Sequence, residues 1–592
     1  MSPVLRTALW LARFDFRRYL VGALLWLPVH VIPLASGLVL QRLFDEISGQ
    51  RVAGMEAVLW LCAAFVGVEI ARGLVIVVAW TYGVYWWMAA ATLLRADVLR
   101  SIMTARGPAA ARLPHSSGES VSRLRDDVAD VVDFTDESVT LAGTTLFAAA
   151  ALTIMAAVDP VITLVLVLPM IAIGVLTRLM RHTIRRLHQR ARELGAAVTA
   201  YVGEVFGGVL ALKTAGAEAA ALERLRAHNR QRRRAEVRDR MATDLLGAAT
   251  GTTVELGVGL VLLLAAPAMR AGEFTVGDLA LFTSYIGWLT GLPRSIGVIL
   301  SRLPQAAVAT ERLAHLMRPG ERPGTGAEVW IHHDAPPIEP PPAHADPLDV
   351  LEARGLSARH PGGGGVSGID LRIERGSFTV VTGAVGSGKT TLLRALLGLL
   401  PLEEGTIWWN GVRVADPGTF LVPGRAAYAG QVPRLFSETL RENLRLGLPA
   451  GDDELREALR LAAFEADLAE LPGGLDTVVG PRGVRLSGGQ VQRATAARAL
   501  VRTPDLLVVD DLSSALDVET ERLLWERIAG HGTVLVVSHR QAALERADQV
   551  VVLDRGRVAG RGPLGELLEG CPEMRRLWSA ELVAEAGERA GQ

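Results

Sequence analysis

Phe378-Thr379-Val380-Val381-Thr382-Gly383-Ala384-Val385-Gly386-Ser387-Gly388-Lys389-Thr390-Thr391 decides the fold of the C-terminal half of this chain. Residues 378–382 form a near-continuous apolar run, the pattern of a strand buried on both faces of a parallel sheet. Gly383 to Thr390 fit the phosphate-loop spacing G-x-x-x-x-G-K-[ST], and a helix is predicted over 391–400. The glycines let backbone N–H groups wrap a phosphate chain, and the helix N-terminus adds a favourable dipole. Lys389 then neutralises the β- and γ-phosphates, and Thr390 ligates Mg²⁺. A chance glycine turn would not put strand, loop and helix in register.

Outward from this loop, residues 506–509 and 534–537 read as two more buried parallel strands. Asp510 closes the first and is placed to hold Mg²⁺ as a Walker B carboxylate does. Short strands alternating with helices from residue 348 to 580 predict an α/β nucleotide-binding domain, with a tail over 581–592. Before it, residues 319–347 are dense in Pro, Gly and His without apolar period, which reads as a semi-extended linker.

The first 318 residues read differently. Long apolar segments at 19–40, 57–85, 139–158, 161–177, 245–269 and 279–300 each approach the ~20 residues that cross a hydrocarbon core. Buried helices of a soluble protein fit six such lengths poorly, and the first is too long for a cleavable signal. The connections 86–138 and 178–244 are long and rich in arginine, with Arg181, Arg185, Arg186, Arg190 and Arg192 in one cluster. The positive-inside rule puts those connections in the cytoplasm with both termini, the membrane being the plasma (inner) membrane. Apolar spacing at Val121, Leu124, Val128, Val131 and Val132 extends the helices beyond the bilayer. The expected fold is therefore an α-helical transmembrane domain of six helices with long cytoplasmic extensions, plus an α/β P-loop domain.

Composition agrees. Of 592 residues, 50% are hydrophobic and 21% charged, with a mean hydropathy of +0.28, which excludes a disordered or wholly soluble chain. Lys+Arg (62) and Asp+Glu (63) nearly cancel, so nucleic acid is not an expected partner. Two distant cysteines, Cys62 and Cys571, exclude a disulfide scaffold and a cysteine zinc site.

Leu486-Ser487-Gly488-Gly489-Gln490, followed by Gln492-Arg493, narrows the class further. It resembles the signature motif of ABC transporters, and nearly the whole chain is similar to a bacterial type IV (exporter-fold) half-transporter. Gln431 in Tyr428-Ala429-Gly430-Gln431 resembles the Q-loop glutamine, a catalytic and Mg²⁺-contacting position. Ser514-Ala515-Leu516-Asp517 resembles the D-loop, and His539 in Ser538-His539-Arg540 the switch histidine. Residues 118–127 and 214–218 are similar to parts of the two intracellular loops, and 275–278 to the start of the sixth helix.

The resemblance implies ATP with Mg²⁺, bound between the phosphate loop of one subunit and Ser487, Gly488, Gly489 and Gln490 of a second half-transporter. Asp517 contributes at that interface, and His360 stands where the family stacks an aromatic ring on adenine. The family usually carries Glu after the Walker B aspartate, to polarise the attacking water; here it is Asp511. One lost methylene withdraws the carboxylate by about 1.5 Å, and misplacement near 1 Å costs ~100-fold. Slow hydrolysis is expected in this chain's own site, with ATP binding retained. Pro481 also replaces a usually acidic residue. An intact signature beside a weakened Walker site favours a heterodimer over a homodimer, although the retained His539 argues the other way. The other readings are a regulatory ATP-binding subunit and an importer built on the exporter fold.

Contacts that couple the domains are expected near 114–121 and 207–216. His30, Glu69 and Glu255 fall near mid-membrane, where ionisable groups are candidate substrate contacts for a small or amphipathic cargo, cationic if both glutamates face a cavity. The alternative for Glu69 is an internal pair with Arg72, one turn away.

Overall fold

The computed structural model describes residues 2–49, 54–111, 117–324, 346–360, 363–422, 424–481, 483–512 and 516–579. Most of the expected linker, the tail 581–592, and Ser514 and Ala515 of the D-loop lie outside them. Two compact units form. One holds residues 1–98, 117–315 and 321–331, the other 99–116, 316–320 and 332–592.

The first unit is helical. It contains α1 (Pro3–Phe14), α2 (Phe16–Ile47), most of α3 (Met55–Met103), α4 (Ser117–Ser122), α5 (Val128–Val158), α6 (Pro160–Gly207), α7 (Val209–Thr214), α8 (Glu218–Ala271), α9 (Val276–Leu289) and α10 (Gly291–Leu316). Local chemistry sets the breaks. The Asp159 carboxylate caps α6 by accepting from Val161 and Ile162 at 2.8 and 3.0 Å, with Pro160 at the first helical position. Thr275 and Asp278 form a reciprocal capping box that opens α9. Among the described residues, 16–47, 55–103 and 119–158 are long and apolar enough to cross a membrane. The α3 stretch leaves Leu59, Trp60, Ile70 and Trp80 exposed, as a helix facing lipid would.

Two outcomes differ from the linear reading. The span expected at 279–300 is broken at Thr290, between α9 and α10. Pro293 has no N–H to give the Leu289 carbonyl, so an unbroken helix would lose a rung there. A short N-terminal helix, α1, also precedes the first span, with Val4, Thr7 and Leu11 buried. The unit's centre joins α2 to α9. The Tyr285 hydroxyl donates to the Leu34 carbonyl (2.7 Å), Gln41 donates to Asp278 (2.7 Å), and the Gly277 N–H donates to Asp45 (2.9 Å).

The second unit carries two sheets. One is antiparallel, ordered β2 (Gly365–Glu374), β1 (Val350–Arg359), β4 (Glu404–Trp409), β5 (Val412–Val414). The other is ordered β10 (Arg557–Gly562), β9 (Gln549–Asp554), β3 (Phe378–Gly383), β8 (Thr533–Val537), β7 (Leu506–Asp510), β6 (Ala426–Ala429). From β9 to β6 this sheet is parallel, and every residue of β3, β7 and β8 is buried. That two-sided burial is why the three runs lack alternation. Around the sheets lie α11 (Lys389–Leu396), α12 (Pro417–Phe420), α13 (Leu440–Arg445), α14 (Asp452–Leu461), α15 (Glu465–Glu470), α16 (Gly488–Leu500) and α17 (Val518–Ala529). The short turn Gly107–Ala111 belongs to this unit and sits against Gly398 and Gly418. A Cβ on Gly107 would lie 3.2 Å from the Gly398 carbonyl oxygen. Of the 114–121 stretch expected to couple the domains, residues 114–116 lie outside those described.

Candidate nucleotide site

The parallel strands end together. β3 finishes at Gly383, β6 at Ala429, β7 at Asp510 and β8 at Val537, so the motifs after them share one sheet edge, where open α/β sheets bind ligands. Gly388 takes a φ of 100°, and a Cβ there would meet the Gly365 carbonyl oxygen at 2.9 Å. Both observations require glycine at that corner. They also bring the start of β2, and with it the turn after β1 that holds the exposed His360, beside the phosphate loop. The His360 N–H closes that turn by donating to the Gly364 carbonyl at 3.0 Å.

Lys389 opens α11 and folds back over the loop, its Nζ donating to the carbonyls of Gly383 (2.7 Å) and Ala384 (3.0 Å). Burial lowers its pKa, and Asp511 and Asp510 oppose that shift. The next residue, Thr390, donates its hydroxyl to Asp510 Oδ1 at 3.1 Å. Burial raises the Asp510 pKa, against hydrogen bonds from Thr390 and Tyr428 that favour the anion. Tyr428, on β6, donates to Asp510 Oδ2 at 3.1 Å, and its own phenol is pushed up to about 12 by burial and the neighbouring carboxylate. It therefore stays a neutral donor. A hydroxyl and a carboxylate oxygen side by side are hard donors that suit Mg²⁺, which takes its remaining oxygens from phosphates and water.

Asp511 adopts a φ of 52°, a left-handed conformation that Asp tolerates better than most residues. Its N–H donates to the Val537 carbonyl (3.0 Å), and its Oδ2 accepts from Gln431 Nε2 at 3.3 Å. The structure thus brings Gln431, Asp511, Asp510 and Thr390 together. His539 follows β8 and is exposed, while Ser538 before it is buried and donates its N–H to the Val381 carbonyl (3.2 Å).

The signature residues form a separate corner. Ser487 caps α16 in a reciprocal box with Gln490, whose Nε2 donates to Asp467 Oδ1 at 2.8 Å. Asp467 also pairs with Arg493 at 2.8 Å, both side chains only 14% exposed. The hydrogen bonds of Ser487 and Gln490 run within this corner, with Gly488 and Gly489 forming the first turn of the helix. Asp517 caps α17 by accepting from the Thr520 N–H (2.9 Å), a bond that lowers its pKa.

Inside the helical unit, Glu69 accepts from Ser36 (2.7 Å) and pairs with Arg72 (3.1 Å), whose guanidinium lies 4.3 Å from the Trp288 ring centre. His30 stacks near Trp26 and lines a cavity of about 290 Å³ with Thr140, Thr144, Trp288 and Arg294. Glu255 is exposed on α8. Linear reading did not assign roles to Tyr428, Asp467, Ser36 or Trp288. For Tyr428 the available signal was its position three residues before Gln431; Ser36 and Trp288 carried none.

Residues 20–292 match the ABC transporter transmembrane region, and residues 366–514 match the ABC transporter family. Over 525 residues the chain is 30% identical to an ATP-dependent lipid A-core flippase of Chromobacterium violaceum, covering 87% of this chain and 86% of that one. The chain belongs to the ABC transporter family. The multidrug resistance-like ATP-binding protein MdlA of Escherichia coli is 27% identical over 573 residues, 93% of this chain and 92% of its own. A bacterial Atm1-family ABC exporter solved with ATP bound shares the fold, with a TM-score of 0.77 at 23% identity over 96% of this chain and 98% of that one. This ABC protein is thus a bacterial half-transporter of the type IV exporter fold. It is a multi-pass membrane protein that binds ATP, and its ATPase is coupled to transport.

Proposed function

We propose that this half-transporter exports an amphiphilic substrate as one subunit of a heterodimer, its own Walker site binding Mg²⁺–ATP but hydrolysing it slowly. The observation that carries this is Asp511 in the left-handed conformation, its short carboxylate accepting from Gln431. The carboxylate falls about one C–C bond, ~1.5 Å, short of where the family's glutamate reaches. Thr390 and Asp510 hold the metal, Lys389 the phosphates, and His360 the base. Ser487, Gly488, Gly489 and Gln490 complete the site on the partner, whose signature in turn completes this one. ATP favours the closed dimer because it contacts both subunits only there, and that differential affinity drives the helical domain, residues 1–318, to reopen on the other side. The arginine-rich connections and both termini lie in the cytoplasm. The names of the relatives, a lipid flippase and a multidrug resistance-like protein, support an amphiphilic cargo.

The test is ATP turnover by the purified chain alone and with a second half-transporter encoded beside it, each at saturating Mg²⁺–ATP. Slow turnover alone, rising at least tenfold with the partner, is the expected result. Full turnover by the chain alone would sink the heterodimer and the slow site together.

A further inference from the structure

The chain enters α5 through a turn of unusual winding. Between α4 and α5, Arg123–Asp127 form a π-helix, whose turn holds one residue more than an α-helical turn. Ser122 and Val128, on either side, keep α-helical backbone angles (φ −60° and −63°, ψ −44° and −45°). The Val128 N–H, which an α-helix would give to the Leu124 carbonyl four residues back, donates to the Arg125 carbonyl. The Leu124 carbonyl accepts from Nε of Arg95, on α3, at 3.1 Å. Asp127 ends the turn and is only 6% exposed. Its Oδ1 lies 3.7 Å from Arg312 of α10, while its buried Oδ2 accepts no hydrogen bond from the described residues. A buried acceptor left without a donor makes this winding costly.

The sequence is written for the other winding. Val121, Leu124, Val128, Val131 and Val132 follow α-helical spacing, which puts all five on one apolar stripe about 100° wide. In the structure Val128, Val131 and Val132 are fully buried, whereas Val121 is 64% exposed. The π-turn accounts for the difference. Its extra residue turns α4 by about 100° against α5 and carries Val121 off the stripe. Local pattern and observed winding therefore disagree, as they do at functional or strained sites. Each winding has its own stabiliser: the Arg95 bond to the Leu124 carbonyl in the π form, burial of Val121 in the α form.

We propose that Arg123–Asp127 is a two-state hinge between α4 and α5. It switches between this π winding, latched by Arg95, and an α winding that hands the extra residue toward Ser117. The switch turns α4 by about 100° and shifts it by about 1.5 Å along its axis relative to α5. Because no stable winding lies between the two, a small push is turned into a discrete step. The hinge serves ATPase-coupled transport and depends neither on the heterodimer nor on the cargo.

Hydrogen exchange of the full-length protein in detergent reads the winding through the amides of residues 121–129. Deleting the exposed Asp126 removes the extra residue and locks the α winding. Exchange there slows at least about tenfold, while that of β3 is unchanged. Arg95→Met releases the latch and slows the same amides at least about threefold, whereas loss of a merely structural bond would quicken them. Adding Val121→Asn to Arg95→Met removes what favours the α winding, and the slowing disappears. In the assembled transporter the deletion lowers ATP turnover at least about tenfold, with Mg²⁺–ATP affinity within a factor of about three, because the hinge no longer switches. Quickened or unchanged exchange in Arg95→Met, or full turnover in the deletion variant, overturns the proposal. The Arg95→Met comparison decides it even if the deletion variant fails to fold.

Discussion

The Tyr428 hydroxyl donates to Oδ2 of Asp510 at 3.1 Å while Thr390 donates to Oδ1 at the same distance, so both carboxylate oxygens are fixed from opposite sides. Tyr428 and Asp510 are both largely buried and sit on adjacent strands, with Tyr428 in register with Val508. Removing the phenol hydroxyl leaves a buried acceptor unsatisfied, worth about 1–3 kcal/mol. Tyr428→Phe is expected to weaken Mg²⁺-dependent ATP binding about tenfold while leaving metal-free binding nearly unchanged, measured by calorimetric titration with and without Mg²⁺.

Nucleotide binding also carries a pH dependence of known sign. The Asp510 pKa is raised by burial, so its protonated form, which cannot ligate a metal, accumulates at a higher pH than for an ordinary carboxylate. Mg²⁺–ATP affinity should fall as pH drops toward that raised value. Tyr428→Phe, which removes a bond favouring the anion, should move this acid limb to higher pH. On the alkaline side the Lys389 pKa is lowered, so affinity should begin to fall below the ordinary lysine range. Affinity measured across the pH range tests both limbs; an acid limb unmoved in the phenylalanine variant would count against the Tyr428 role.

Asp511→Glu restores the missing methylene. Turnover in the complex with its partner is expected to rise by about 10- to 100-fold at this site, with ATP affinity within a factor of about three. Single-turnover hydrolysis separates the two sites. No acceleration would mean the short carboxylate is not what limits the rate.

Asp467 supports the signature turn through Gln490 and Arg493. Asp467→Ala removes the counter-charge of the mostly buried Arg493, which keeps its bond to the Ala463 carbonyl, and should cost roughly 3 kcal/mol locally. Hydrogen exchange of the amides in the first turns of α16 should then quicken by about 100-fold, relative to unchanged exchange in β3.

Glu69 and Glu255 should behave differently. Glu69→Gln removes the counter-charge of Arg72 inside the helical unit and should destabilise the protein by ~1–2 kcal/mol, seen as a lower thermal midpoint. Glu255→Gln, at an exposed position, should stay within about 0.5 kcal/mol. Equal effects would mean the Glu69 pair does not hold the helices.

The amino-acid sequence alone determined the features whose physics is local. Glycine spacing marks where backbone must approach phosphate, unbroken apolar runs mark strands buried on two faces, and long uncharged stretches mark helices that no aqueous surface would tolerate. The phosphate loop and Asp510 were legible in this way, because each lies within a few residues of the element that positions it, whereas Gln431, Asp511 and the signature residues were read from the family resemblance. Tertiary structure decided the rest. Tyr428 meets Asp510 only because β6 neighbours β7, Glu69 meets Ser36 only because α2 lies beside α3, and Arg72 finds Trp288 across more than two hundred residues. Such contacts depend on strand order and helix packing, which local periodicity does not encode.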